Sequence, residues 1–292
     1  MLSAFLHAAK QRDATDAVDF PDLPAGVGNL PRLTDMPCLG ESCRRCVTAC
    51  PTNAIQISDE DGTPVVTVDR GLCITCGDCI EGCPTQTISS ERSTKTAVFR
   101  REDLILSNSK RSPQQPPTEV NLERGMFRRS VDVREVSTGC NATDLEVNAT
   151  TNAIFDCSRF GIHFVASPRF ADVLMVTGPV GRAMQEPLVR CYEALADPRI
   201  VVAVGTSAIS GGIHRGGYTM ANGVTPHLPV AAFVPGCPPN PWSIIHGVCL
   251  STQSRRLSLN REEAGFRVKP ATFRYRNSAI DEAALRLGSK FA

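Results

Sequence analysis

Eight of the chain's 13 cysteines fall between Cys38 and Cys83, in two runs that each end in Cys-Pro. The second run is Cys73-Ile-Thr-Cys76-Gly-Asp-Cys79-Ile-Glu-Gly-Cys83-Pro84. The first is Cys38-Leu-Gly-Glu-Ser-Cys43-Arg-Arg-Cys46-Val-Thr-Ala-Cys50-Pro51, with two extra residues between its first two cysteines. Close spacing lets one loop wrap three corners of an iron–sulfur cubane, while the fourth cysteine of each run reaches across to the other cluster. This crossing assigns Cys38, Cys43, Cys46 and Cys83 to one [4Fe–4S] cluster and Cys73, Cys76, Cys79 and Cys50 to a second. Pro51 and Pro84 close the loops by fixing φ and removing a donor. The stretches AIQI (54–57) and TISS (87–90) follow the two Cys-Pro pairs at matching positions, so each run reads as half of a two-fold ferredoxin unit. The competing reading is a pair of zinc knuckles. Zinc favours two separated pairs of thiolates over triplets with an offset fourth cysteine.

The rest of the chain bounds the class. At 42% hydrophobic and 21% charged residues it is a globular composition, and a net charge of +1 argues against a whole-chain nucleic-acid binder. The start, MLSAFLHAAKQRD, has no export signal, and no run is long and apolar enough to span a bilayer, so the cysteines are expected reduced and on the cytoplasmic side. Residues 1–33 read as a Pro/Gly-rich lead-in and 34–95 as an α+β bacterial ferredoxin-like domain. Residues 96–126 read as a linker around SNSKRSPQQPP, and 127–250 as an α/β domain. Residues 251–292 read as a basic tail. The runs ADVLMVTG (171–178), IVVAVG (200–205) and VAAFVPG (230–236) are expected to be buried parallel strands, with RAMQEPLVRCYEALAD (182–197) a helix between the first two. SGGIHRGG (210–217) follows no phosphate-loop pattern and reads as a plain loop. Charge is polarised. Four arginines against nine carboxylates make residues 35–92 net −5, whereas nine Lys/Arg against four carboxylates make the tail net +5. The tail could meet an anionic membrane, an acidic partner or only solvent.

The stretches RSVDVREVSTGCNATDLE (129–146), ASPRFADVLMVTGPV (166–180), VAVGTSAISGG (202–212) and VPGCPPNPWSII (234–245) resemble the small electron-transfer subunit of energy-converting, group 4 [NiFe] hydrogenases. That family includes the formate hydrogenlyase small subunit and the complex I subunit that holds the terminal cluster. The ferredoxin block is similar to the two-cluster ferredoxin subunit of the same complexes, so the chain looks like a fusion of two neighbouring subunits. The resemblance implies a flavodoxin-like α/β domain. It also implies an electron-transfer role beside a large hydrogenase-like subunit and a membrane subunit, with a separate electron donor protein. The place would be peripheral, on the cytoplasmic face of the inner membrane. The family sets four cysteines around its own cluster. Here Cys140 and Cys237 match two of them, while Thr143 and Ser207 stand at the other two. A hydroxyl is harder to deprotonate than a thiol and a poorer ligand for iron, so a third cluster is not expected. Cys157 is the one candidate replacement. Glu146 matches an acidic residue for which the family suggests a proton or quinone role. Arg44 and Arg45 lie inside the first cluster loop and could tune its potential. His163 and His214 read as ordinary surface or core residues. A scaffold subunit and a freestanding soluble carrier are the alternatives.

Overall fold

The structure, a computed structural model, describes residues 20–252 apart from 25, 29, 110–126 and 128–129. All of these belong to one compact unit, Met1–Ser258, and the second unit, Leu259–Ala292, lies outside the described residues, as does the basic tail from 253 onward. Among the described residues no helix is long and apolar enough to cross a membrane.

The ferredoxin half repeats one pattern twice. A strand, β1 (Pro31–Leu33), leads into the first cysteine run, which carries a 3-10 turn (Gly40–Ser42) and helix α1 (Arg45–Ala49); β2 (Ile55–Glu60) follows. Then β3 (Thr63–Asp69) leads into the second run, which carries α2 (Asp78–Glu81); β4 (Ile88–Ser90) follows. The repeats interlock: β1 pairs antiparallel with β4, and β2 with β3. Each short helix starts after a residue in the left-handed region, Gly77 at φ 90° in the second run and Arg44 at φ 44° in the first. Glycine adopts that conformation without Cβ strain and arginine does not, so the geometry is imposed by the surrounding loop. Val66, Val68, Ile55 and Ile88 form the small core between the two cysteine sets.

The α/β half is built on β6 (Val131–Ser137), β7 (Ile162–Phe164), β8 (Val173–Thr177), β9 (Ile200–Val204) and β10 (Ala232–Val234). All are parallel and lie in the order β10-β9-β8-β6-β7. Numbered along the chain this is 2-1-3-4-5 from the other edge, an order that fits a flavodoxin-like arrangement. The runs expected as buried strands are β8, β9 and β10; every residue of each is buried, as a sheet covered on both faces requires. Helices α3 (Asn141–Ala149) and α6 (Pro241–Ser251) pack into one core with Val133, Met175 and Val202. Helix α4 (Gln185–Glu193) and the short α5 (Thr206–Ser210) join the core on the other side, with Leu174, Val176 and Val201. Each such fully buried aliphatic side chain contributes about 1.5–3 kcal/mol.

Two stretches assigned from sequence to lead-in and linker are built into the fold. Phe20 lies 5.3 Å from Phe160 and 5.7 Å from Trp242, ring to ring, in an aromatic cluster of the α/β core. Residues 96–107, read as the start of a linker, tie the halves together. Val98 bridges to Phe233 beside β10, Leu104 is buried, and β5 (Ile105–Ser107) adds a third strand to the ferredoxin sheet against β3. Apolar side chains at Ala97, Val98 and Leu104 make the difference, because each removes surface from water that a free linker would leave exposed. The Pro/Ser-rich part of the expected linker, 110–126, lies outside the described residues.

Candidate iron–sulfur site

The fold brings Cys38, Cys46 and Cys83 near one another and Cys50, Cys73, Cys76 and Cys79 near one another, as the action of their thiols on each other shows. Burial, then the neighbouring Cys38 and Cys83, push the Cys46 thiol up. Burial pushes Cys79 up to about 12, reinforced by Cys73, Cys76 and Cys50, and more weakly by Cys46. Cys73 is likewise pushed up to about 11 by burial, with Cys50 and Cys76 adding to it and Arg70 opposing. Cys50, Cys73, Cys76 and Cys79 all line one pocket, walled by Ile55, Val68 and Ile74. Among the described residues no three His, Cys, Asp or Glu side chains converge on a point that would hold a single ion. Zinc would need its sulfurs within about 2.3 Å of one centre. Four thiols lining one pocket suit a multi-iron cluster by ligand type, and a metal that replaces their protons removes the mutual repulsion of buried thiolates.

Backbone donors are already turned to these sulfurs, and they repeat with the two-fold pattern. The N–H two residues on donates to the first cysteine of each run: Gly40 to Cys38 Sγ and Thr75 to Cys73 Sγ, both at 3.3 Å. The fourth cysteine of each run has a threonine hydroxyl two residues on, Thr52 at 3.7 Å from Cys50 Sγ and Thr85 at 3.7 Å from Cys83 Sγ. The Ala54 N–H also donates to Cys50 Sγ at 3.2 Å. Burial acts to raise Cys83, but the Ile88, Thr85 and Thr87 N–H groups and the Thr85 hydroxyl outweigh it and lower the thiol. Cys43 is half-buried at the end of the 3-10 turn, its N–H bonded to the Gly40 carbonyl. The two extra residues of the first run are absorbed by that turn. Arg44 pairs with Glu41 across the same loop, and Arg45 is exposed.

The second cluster of candidates is closed in a different way. Cys140, just before α3, lies 3.2 Å from the Thr143 hydroxyl on that helix. Burial raises the Cys237 thiol, the nearby Cys140 adds to this, and a hydrogen bond with Ser207 opposes it. So Cys140, Thr143, Ser207 and Cys237 do come together, Thr143 bonded to Cys140 and Ser207 beside Cys237. Gly205, at φ 87°, lets the chain pass this close: a Cβ there would stand 3.0 Å from Thr143 Oγ1. Cys157 is elsewhere. It is buried in the core near Thr150, its Sγ 3.7 Å from the Ile162 carbonyl oxygen. Burial raises the Glu146 carboxyl, which lines a cavity of about 240 Å³ with Thr75, Gly236 and Pro238. His163 and His214 are exposed.

Sequence reasoning missed the contacts between the two clusters of residues. Thr75 Oγ1 donates to the Cys237 carbonyl at 3.0 Å, and Thr206 Oγ1 donates to the Cys73 carbonyl at 2.7 Å. The second cysteine loop therefore sits directly on the loop that carries Cys237 and on helix α5, which carries Ser207. It also missed Glu135 on β6, whose carboxyl is pushed up to about 7 by burial and then by Asp144. Asp144 itself accepts from Ser137 at 2.6 Å and from Thr177 at 2.5 Å.

Comparison with known proteins matches each half separately. Residues 140–250 match the family described as NADH ubiquinone oxidoreductase, 20 Kd subunit, and residues 38–87 match the 4Fe-4S dicluster domain. The chain is 40% identical over 126 residues to formate hydrogenlyase subunit 7 of Escherichia coli (strain K12), covering 43% of this chain and 49% of that protein. It is 42% identical over 127 residues to the probable membrane-bound hydrogenase subunit mbhJ of Pyrococcus furiosus, covering 43% of this chain and 75% of that protein. It is 40% identical over 136 residues to an NADH-quinone oxidoreductase subunit of Roseiflexus castenholzii, covering 46% of this chain and 50% of that protein. The chain thus spans about half the length of the first and third of these relatives and three quarters of the second. On this similarity the chain belongs to the family of the NADH ubiquinone oxidoreductase 20 Kd subunit, and it carries a 4Fe-4S dicluster domain ahead of that subunit's domain.

Proposed function

We propose that this chain is an electron-transfer subunit with two [4Fe–4S] clusters, working in a membrane-bound complex of the hydrogenase and complex I type. Cys38, Cys43, Cys46 and Cys83 would hold one cluster, and Cys50, Cys73, Cys76 and Cys79 the other. Each cluster, when bound, exchanges single electrons. The protein's own contribution is to hold the sulfurs, aim N–H groups at them and exclude water. Gly40 and Thr75 donate to the first sulfur of each set, and buried Val66 and Val68 keep the space between the sets dry. The observation that carries the reading is the pocket ringed by Cys50, Cys73, Cys76 and Cys79, whose loop is bonded through Thr75 to the Cys237 carbonyl. That contact supports reading the second set as the one next to the α/β domain, with the first set meeting a donor protein.

The α/β domain, flavodoxin-like and spanning about residues 127–250, would carry no third cluster. Cys140 and Cys237 would supply only two thiols, with the Thr143 and Ser207 hydroxyls beside them in place of the other two ligands. Glu146, raised by burial at the cavity beside Thr75, is a candidate proton acceptor for that face. The chain would bind a large hydrogenase-like subunit and a membrane subunit, as a peripheral protein of the cytoplasmic face. Co-purification from the native host tests this. The full chain should sediment with membranes and come away with those partners. Recovery as a soluble monomer at low salt, with its neighbours expressed, would favour a freestanding carrier instead.

A further inference from the structure

The two cysteine loops share one pattern, yet among the described residues it is the second that the α/β domain grips through side-chain hydrogen bonds. Helix α5 is buried along its whole length and presents two hydroxyls to the Gly71–Thr75 stretch. Thr206, fully buried, donates to the Cys73 carbonyl at 2.7 Å. The Ser210 hydroxyl lies 2.8 Å from the Gly71 carbonyl, closer than the 3.1 Å to the Thr206 carbonyl within its own helix. In the equivalent stretch of the first loop, Met36–Gly40, Met36 and Leu39 are exposed among the described residues, and the Pro37 carbonyl accepts from Thr87, inside the ferredoxin half.

We propose that Thr206 and Ser210 are positioning residues that set the reduction potential of the cluster held by Cys50, Cys73, Cys76 and Cys79 and leave the other cluster untouched. This rests on the two-cluster reading above. An iron–sulfur potential follows the hydrogen bonds, charge and solvent exposure around the ligands. Reduction adds a negative charge. A hydroxyl that points its hydrogen at the Cys73 peptide places the positive end of a dipole there, in a buried setting where dipoles act strongly. Without it the carbonyl of a cluster ligand presents its negative end uncompensated, and the reduced state is disfavoured. Ser207, beside Thr206, stands where the family has a ligand; in this chain the same short helix serves the neighbouring centre from outside.

EPR-monitored redox titration of the anaerobically purified full-length holoprotein tests this. Thr206→Val keeps the shape and removes the hydroxyl, and should move one of the two midpoint potentials lower while the other stays in place. Thr206→Ser keeps the hydroxyl and should restore the native value, which a purely steric role would not predict. Ser210→Ala should shift the same potential in the same direction by less, and it carries the test alone if Thr206→Val does not fold. Two intact clusters with both potentials unchanged, or both moved equally, would overturn the inference and leave the two-cluster reading standing. A native protein with fewer than two clusters would instead overturn the reading beneath it.

Discussion

The thiols of residues 38–83 and the four side chains at 140, 143, 207 and 237 are both gatherings of polar groups, and they differ in how many thiols each brings together. In the ferredoxin half the sulfurs accept from backbone N–H groups and threonine hydroxyls at their rims, and one set rings a pocket. In the α/β half two thiols stand beside two hydroxyls, Cys140 at 3.2 Å from Thr143 and Cys237 next to Ser207. The first arrangement brings four thiols to one shared space; the second brings two. The difference resides in two side chains, Thr143 and Ser207, which the family resemblance singles out.

The largest test of the contrast removes a thiol from the open side. Cys73→Ala should cost one whole cluster, about four irons, with the visible absorbance near halved; Cys140→Ala should leave iron content unchanged. Equal losses from the two substitutions would erase the distinction. The converse test restores thiols on the closed side. Thr143→Cys with Ser207→Cys in one chain should gain about four irons after reconstitution, and failure to gain any would mean the site has departed from the family in more than its ligands.

A smaller effect concerns the seam between the halves. His246 on α6 accepts the Ala97 N–H at 3.3 Å, and burial, helped by Lys95, holds its imidazole down at about 4. A folded value below the unfolded one means the unfolded chain binds more protons between about pH 6.5 and pH 4, so stability is full above that window and falls as pH drops through it. The loss between pH 7 and pH 5 should be on the order of 2 kcal/mol. His246→Asn, which can still accept from Ala97, should flatten that acid limb in anaerobic thermal unfolding; an unchanged limb would remove His246 as its cause. Smallest is Arg44→Gly. The first loop forces arginine to φ 44° where the second uses glycine. The exchange should stabilise the holoprotein by about 0.5–1 kcal/mol, since the exposed pair with Glu41 returns little. A clear destabilisation would show that the two loops are not conformational copies.

What was legible in the sequence was what local spacing encodes. Cysteine intervals announced the two-fold loops, and β-branched runs ending in glycine announced β8, β9 and β10. What escaped was held by distant partners of common residue types. Phe20 reads as part of a Pro-rich lead-in until Phe160 and Trp242 are folded against it. Residues 105–107 read as linker because a three-residue edge strand has no pattern of its own. Thr206 and Cys73 are 133 positions apart, and nothing in either residue points to the other. The convergence of Cys140, Thr143, Ser207 and Cys237 was available only through family resemblance, since a lone threonine or serine carries no ligand signal.

The central claim is that eight cysteines bind clusters and the second site binds none. Anaerobic iron and acid-labile sulfide analysis of the full-length protein, read with its EPR spectrum, tests it most directly. The account predicts about eight irons and eight sulfides per chain from two cubanes; about twelve of each, with a third resolved cluster, would contradict it.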